Sequence, residues 1–267
     1  MELIMRYMRH YRAGAHDAIN NMIPEPVIWC AFETLIKAGL VMEQGDADQP
    51  PPVWNNGPVL HLDLKPDNLY LGPFPAQNDD WAVYPSFKVA DFGHSVDDRR
   101  DANYDYRGRG TITYMSPEQL EDNRYHGQYP RDPVNTKTNV WGVGITVMSL
   151  MDLGQEPGNL TFEKAATNEN HPSLVPQFSP NARAKYSATL RNMVIHCLQY
   201  RQVNRPTFRT LRTQLDAVTG LGGPQATDLA QGARFANNLN PTARLRLPRG
   251  GDRFWIGRPV GPAWRAV

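Results

Sequence analysis

The run from Val140 to Met151 is the longest apolar stretch in the chain, and it constrains the fold more than any other feature. It falls short of the roughly 20 residues that a bilayer-crossing helix needs, so the protein itself has to bury it as a core helix. Other elements must then surround it. Thr136 to Met151, Ser187 to Gln199 and Thr207 to Val218 each place apolar residues three and four apart, which is the helical period. Earlier in the chain Ile28, Ala31, Phe32, Leu35, Ile36, Ala38 and Leu40 do the same between Val27 and Gln44. Pro24 and Pro26 precede that segment, and Gly45 follows it as a helix stop.

Between these helices the pattern changes. Asp46 to Pro58 carries four prolines and two asparagines and reads as a surface loop leading into the short apolar run Val59-Leu60. Leu69-Tyr70-Leu71 and Phe87-Lys88-Val89-Ala90 read as short strands on either side of a Pro-rich loop from Gly72 to Pro85. The expected fold class is α+β, mainly α, with short strands around one polar loop. At 267 residues the chain can bury a sizeable core. From Leu221 to Val267 the composition turns to Gly, Pro, Asn and Arg, with seven Arg against two Asp, a local charge of 7 − 2 = +5. The expected division is a folded unit over residues 1–220 and a flexible basic tail over 221–267.

The net charge of +1 offers no global field for nucleic acid or an anionic membrane. Cys30 and Cys197 sit far apart within helical apolar patterns, which predicts buried free thiols in a reducing compartment. Met1 to Arg12 interleaves Glu2, Arg6 and Arg9 with apolar residues and has no cleavable apolar core, so no secretory signal is expected. An intracellular location, cytoplasmic or nuclear, is the resulting expectation.

The polar loop carries the chemistry. It reads His61-Leu62-Asp63-Leu64-Lys65-Pro66-Asp67-Asn68, and Asp91-Phe92-Gly93 follows the second short strand. Strands on both sides of a loop bring Asp63 and Asp91 near each other. An isolated Asp-Phe-Gly is usually a turn and an isolated His-x-Asp usually a surface pair, so the information lies in the ordered set. That set continues with Gly110-Thr111-Ile112-Thr113-Tyr114-Met115-Ser116-Pro117-Glu118, Asn139-Val140-Trp141-Gly142-Val143-Gly144 and Arg205-Pro206.

In this order the motifs resemble the eukaryotic protein kinase family of the Ser/Thr type, from Ala13 to Thr219. The resemblance implies the helical C-terminal lobe of that fold and a reaction in which ATP phosphorylates a protein hydroxyl. Such chemistry needs a carboxylate to orient the hydroxyl, oxygen ligands for magnesium, and cations for the transferred group. The resemblance assigns the catalytic roles to Asp63 as base, Lys65 as a γ-phosphate contact, and Thr111 as the bridge between them. Asn68 and Asp91 would ligate Mg2+, and with Tyr70, the floor of the adenine pocket, they would face ATP. Phe92 would join a hydrophobic spine, and Glu118 would pair with Arg205. Lys65 favours a Ser/Thr acceptor on the protein substrate.

Three departures qualify the likeness. Leu62 replaces an arginine that in many kinases pairs with a phosphate on the activation segment, so that switch is not expected here, and Ser95, Tyr104 and Thr113 have no support as its sites. Asn139 replaces an aspartate that accepts backbone hydrogen bonds from the catalytic loop, which predicts a looser loop of unchanged shape. No G-x-G-x-x-G and no Val-Ala-x-Lys strand occur in the sequence. The expectation is a lobe without its N-terminal β partner, weak or inactive alone, with Tyr70 and its neighbours exposed and open to a covering partner. A non-catalytic kinase-derived binding or scaffold module is the alternative. RNA binding through the Arg-rich tail, with Phe254 and Trp255 interleaved, is the weakest reading.

Overall fold

The computed structural model describes residues 22–48, 57–72, 86–98, 106–120, 132–152 and 177–219. The tail over 221–267, most of the two Pro-rich loops, Tyr104 and the first 21 residues lie outside the described residues, so the expectations placed on them have no structural counterpart.

Five α-helices and four short strands, joined by short 3-10 turns and loops, form the described part: α1 (Glu25–Gln44), β1 (Val59–Leu60), β2 (Leu69–Leu71), β3 (Phe87–Val89), β4 (Val96–Asp97), α2 (Thr136–Met151), α3 (Pro180–Lys185), α4 (Ala188–Cys197) and α5 (Phe208–Thr219). Every residue of α2 from Thr138 to Met151 is buried, so the apolar run is the central helix that its composition demands. Asn135 caps its start by accepting from the Lys137 N–H at 2.8 Å. α1 and α4 pack against it, and α5 packs against α1. Trp29, Phe32, Leu35 and Ile36 of α1, Leu190 and Val194 of α4, and Phe208, Leu211 and Leu215 of α5 complete one continuous core.

Polar ties fix the helix ends. Gly45, at φ 90°, ends α1 in the left-handed conformation and returns its N–H to the Val41 carbonyl at 2.7 Å. Glu25, in the first turn of α1, accepts from Trp29 Nε1 at 3.1 Å and from the Ser187 N–H and hydroxyl at 2.8 and 2.5 Å, joining α1 to the start of α4. Both cysteines are free and buried, and burial pushes the Cys197 thiol up to about 12, which keeps it protonated and inert.

The strands form two small antiparallel ladders. β2 pairs with β3 in the register Leu69↔Val89, Tyr70↔Lys88 and Leu71↔Phe87, and β1 pairs with β4 through Val59↔Asp97 and Leu60↔Val96. The second ladder has no signal in the sequence, because two residues are too few to show a period of two. No helix among the described residues is long and apolar enough to cross a membrane.

Candidate active site

The two ladders bracket the polar loop between β1 and β2. The β2–β3 register continues one step further, with the Ala90 N–H donating to the Asn68 carbonyl at 3.0 Å, and this carries Asp91 alongside the loop. His61, fully buried, locks the same junction. Its Nε2 lies 3.2 Å from the Ala90 carbonyl and its Nδ1 accepts from the Asp63 N–H at 3.3 Å. Those partners require the neutral tautomer with the proton on Nε2. Burial pulls the imidazole below its ordinary pKa, against the opposing pull of Ala90, Asp63 and Asp91.

Asp63 is the centre of the site. Its Oδ1 accepts from the Thr111 N–H at 2.8 Å, and its Oδ2 accepts from Lys65 Nζ at 2.9 Å and Asn68 Nδ2 at 3.1 Å. Lys65 Nζ also donates to the Thr111 hydroxyl at 2.6 Å, which closes a ring of three residues through the Thr111 main chain and side chain. Burial would raise the Asp63 pKa, but Lys65 and Thr111 outweigh it and hold the carboxyl below its ordinary range. Asp63 is therefore ionised at neutral pH.

Asn68 donates to the Asp63 carbonyl as well, at 2.8 Å, so its Nδ2 is committed and its amide oxygen is turned away from Asp63. Asp91 adopts φ 61°, ψ 68° and accepts from the Gly93 N–H at 3.4 Å. Phe92 stacks obliquely on His61, with ring centroids 4.8 Å apart, yet stays 50% exposed. Tyr70, in β2, is 41% exposed, in line with the exposure expected of it from the sequence.

Asn139 departs from its expectation. Its Oδ1 accepts from the His61 N–H at 2.9 Å while its Nδ2 donates to the Val59 carbonyl at 2.8 Å. An aspartate could make the first bond and not the second. The loop is held at two points by a neutral clasp, so the loss of charge assistance is offset by an added donor.

Glu118 and Arg205 do pair, fully buried, and Thr138 Oγ1 donates to Glu118 at 2.8 Å. The segment that this pair ends passes directly over the loop. Gly110, at φ 106°, is the only residue type that fits there, because a Cβ would drive into the Leu62 carbonyl oxygen.

Gln119 was not singled out by the motifs, yet it is 3% exposed and its side chain fills all of its hydrogen-bonding capacity. Nε2 donates to the carbonyls of Leu62 at 2.9 Å and Arg109 at 3.0 Å, and Oε1 accepts from the Ser116 N–H and hydroxyl at 3.0 and 3.1 Å. The signal was present: Ser116-Pro117-Glu118-Gln119 has the spacing of a capping box, in which the glutamine reaches back to the first residue.

This architecture coincides with what the whole sequence is similar to. Residues 53–215 match the family model described as "Protein kinase domain". The chain is 28% identical over 163 residues to the dual specificity protein kinase shkB of Dictyostelium discoideum, covering 58% of this chain and 21% of that protein. It is 25% identical over 197 residues to the receptor-interacting serine/threonine-protein kinase 4 of Mus musculus, covering 71% and 22% respectively. For the serine/threonine-protein kinase TOUSLED of Arabidopsis thaliana the values are 26% over 160 residues, 57% and 21%. The chain thus spans about a fifth of the length of these curated relatives. With a matched region covering more than half of its length, and with the loop, segment and central helix arranged as described, the chain belongs to the protein kinase family.

Proposed function

We propose that this chain carries the catalytic half-site of a Ser/Thr protein kinase, with Asp63 as the base, Lys65 and Thr111 as its partners, and Asn68 and Asp91 as the magnesium ligands. The observation that carries the reading is the closed ring of Asp63, Lys65 and Thr111. It leaves an ionised carboxylate in a fixed orientation beside a cation, the pairing that phosphoryl transfer uses to align a hydroxyl and stabilise the group in flight.

The donor chemistry suits magnesium, since an amide oxygen and a carboxylate are hard oxygen ligands. No group of three or more His, Cys, Asp or Glu able to hold a metal occurs among the described residues, so phosphate oxygens and water would have to complete the coordination. Magnesium, when bound with ATP, supplies charge neutralisation at the phosphates. The chain's own residues orient and position: Asp63 accepts the acceptor hydroxyl's proton, Lys65 attracts the transferred group, and Thr111 prevents the carboxylate from turning. Tyr70 offers an aromatic surface for the adenine. The buried free thiols support an intracellular setting.

Phosphate transfer to Ser-, Thr- and Tyr-containing peptide pools tests the reading, with the chain compared against Asp63→Asn. Transfer to Ser and Thr that falls about 10²- to 10⁴-fold in the variant is expected for a lost general base. Equal signals from both proteins would overturn catalysis by this chain and return the scaffold alternative.

A further inference from the structure

We propose that Gln119 is the positioning residue that clamps the activation segment onto the catalytic loop, holding Thr111 against Asp63 with no phosphate on the segment. The inference rests on the reading of Asp63 as the reacting carboxylate.

The clamp follows from what each end of Gln119 holds. Nε2 bonds the Leu62 carbonyl, which lies in the peptide unit leading into Asp63, and the Arg109 carbonyl, two residues before Thr111. One buried amide therefore ties the reacting carboxylate's backbone to the backbone that presents the Thr111 N–H. Oε1 and the main chain anchor Gln119 in turn. Ser116 donates twice to the side chain, and the Gly108 N–H donates to the Gln119 carbonyl at 2.6 Å. Glu118, the preceding residue, is fixed by Arg205, so the clamp has a rigid base.

Around residue 62 the segment meets apolar groups, with no cation offered to a phosphate among the described residues there. Leu62 has φ 63°, which leucine rarely adopts, and its side chain is 5% exposed in a small cluster with Leu60 and Val134, against which Val96 and Tyr106 pack. Arg109 lies over the Tyr106 ring at 5.0 Å and Arg107 donates to the Asp132 carbonyl at 3.0 Å, so both nearby cations are engaged by protein groups. A phosphate would meet an apolar seal at residue 62. At Leu62 the polar link across the seam is Gln119, with the close approach of Gly110 to Leu62 beside it, and the Thr111 bonds to Asp63 and Lys65 follow one residue on.

Amide proton shifts and amide hydrogen exchange read by NMR in the full chain, after phosphatase treatment, test the proposal without requiring phosphoryl transfer. Gln119→Glu places a carboxylate against two carbonyl oxygens, and Gln119→Met keeps the volume but removes every side-chain bond. In folded samples of both variants the Thr111 amide proton should lose the downfield shift that its bond to Asp63 gives it and should exchange faster, while the His61 amide, held by Asn139, keeps its wild-type rate. Amide exchange of Gly108, Thr111 and Ser116 in the dephosphorylated wild-type chain should be slow, and this holds the test open if a variant fails to fold. An unchanged Thr111 amide shift and exchange rate in a folded variant, or rapid exchange of those amides in the wild type, would overturn the proposal. Absence of phosphoryl transfer in the wild type would instead count against the kinase reading and leave the amide result standing.

Discussion

Arg205 holds Glu118 through two parallel hydrogen bonds, Nη1 to Oε1 at 2.6 Å and Nη2 to Oε2 at 2.8 Å, with both side chains fully buried. The remaining guanidinium protons are also placed, on the carbonyls of Gln199, Lys137 and Tyr200 at 2.8, 3.0 and 3.0 Å, so all five donors are used. The plane of Arg205 also lies over the Trp141 ring at 5.0 Å, against the central helix. The pair thus joins the end of the activation segment to α2 and to the turn before α5. Desolvation offsets much of the attraction between two such charges, so its main effect is to fix one arrangement.

Removing one partner should therefore cost more than removing both. Arg205→Met leaves a buried unpaired carboxylate and is expected to destabilise the fold by about 3–5 kcal/mol, while adding Glu118→Gln recovers a substantial part. Urea unfolding of the two single variants and the double variant measures the coupling. The pH dependence carries a definite sign. Burial raises the Glu118 pKa, but Arg205 outweighs it and the folded value lies below that of the unfolded chain. The pair's stabilisation is present above the ordinary Glu range and is lost as pH falls through the lowered folded value. Glu118→Gln should flatten this acid limb.

Asn139→Asp should weaken the loop, although aspartate is the residue that the family resemblance would place there. The amide donor to the Val59 carbonyl would be lost and a buried carboxylate would face that oxygen, at a cost of about 1–3 kcal/mol. Faster amide exchange at His61 and a lower unfolding midpoint are the expected readings. A variant as stable as the wild type would show that the second bond contributes nothing.

Gly39→Ala should destabilise the contact between α1 and α5 despite alanine's better helix propensity. The added methyl would run into the ring of Phe208, which is 0% exposed and cannot swing aside. Overpacking of this kind costs about 1–3 kcal/mol. Phe208→Leu in the same chain should restore part of the loss, measured by thermal unfolding.

Asp152→Asn should stabilise the protein at neutral pH by about 0.3–1 kcal/mol, because it removes a carboxylate from the C-terminal end of α2 while an amide oxygen can still accept from the Ser179 N–H, 3.2 Å away. Burial raises the Asp152 pKa, opposed by the Ser179 bonds and by Arg183. A carboxyl with a raised folded value costs stability above that value and loses this cost as pH falls. The advantage of the variant should shrink as the pH is lowered through the folded pKa of Asp152, and parallel curves would refute the argument.

Much of the fold could be read in the sequence because the helices bury long periodic faces. Thr136 to Met151 appears with the expected bounds, Val27 to Gln44 begins two residues earlier at Glu25, and β2 and β3 form where the apolar runs stand. The β1–β4 ladder and α3 were missed because two and six residues carry too little pattern. The candidate site residues were chosen through their order along the chain, a property that needs no coordinates.

Residue types alone determined which groups could take part: a carboxylate at 63, a cation at 65, oxygen donors at 68 and 91, and an apolar side chain at 62. Tertiary structure decided how they are connected. Hydrogen bonds depend on direction and on distances near 3 Å, and residues 57 and 78 positions apart meet only once the core has packed. That is why Asn139, read in sequence as a weakened aspartate, proves to be a two-point clasp, and why Gln119 enters the site at all.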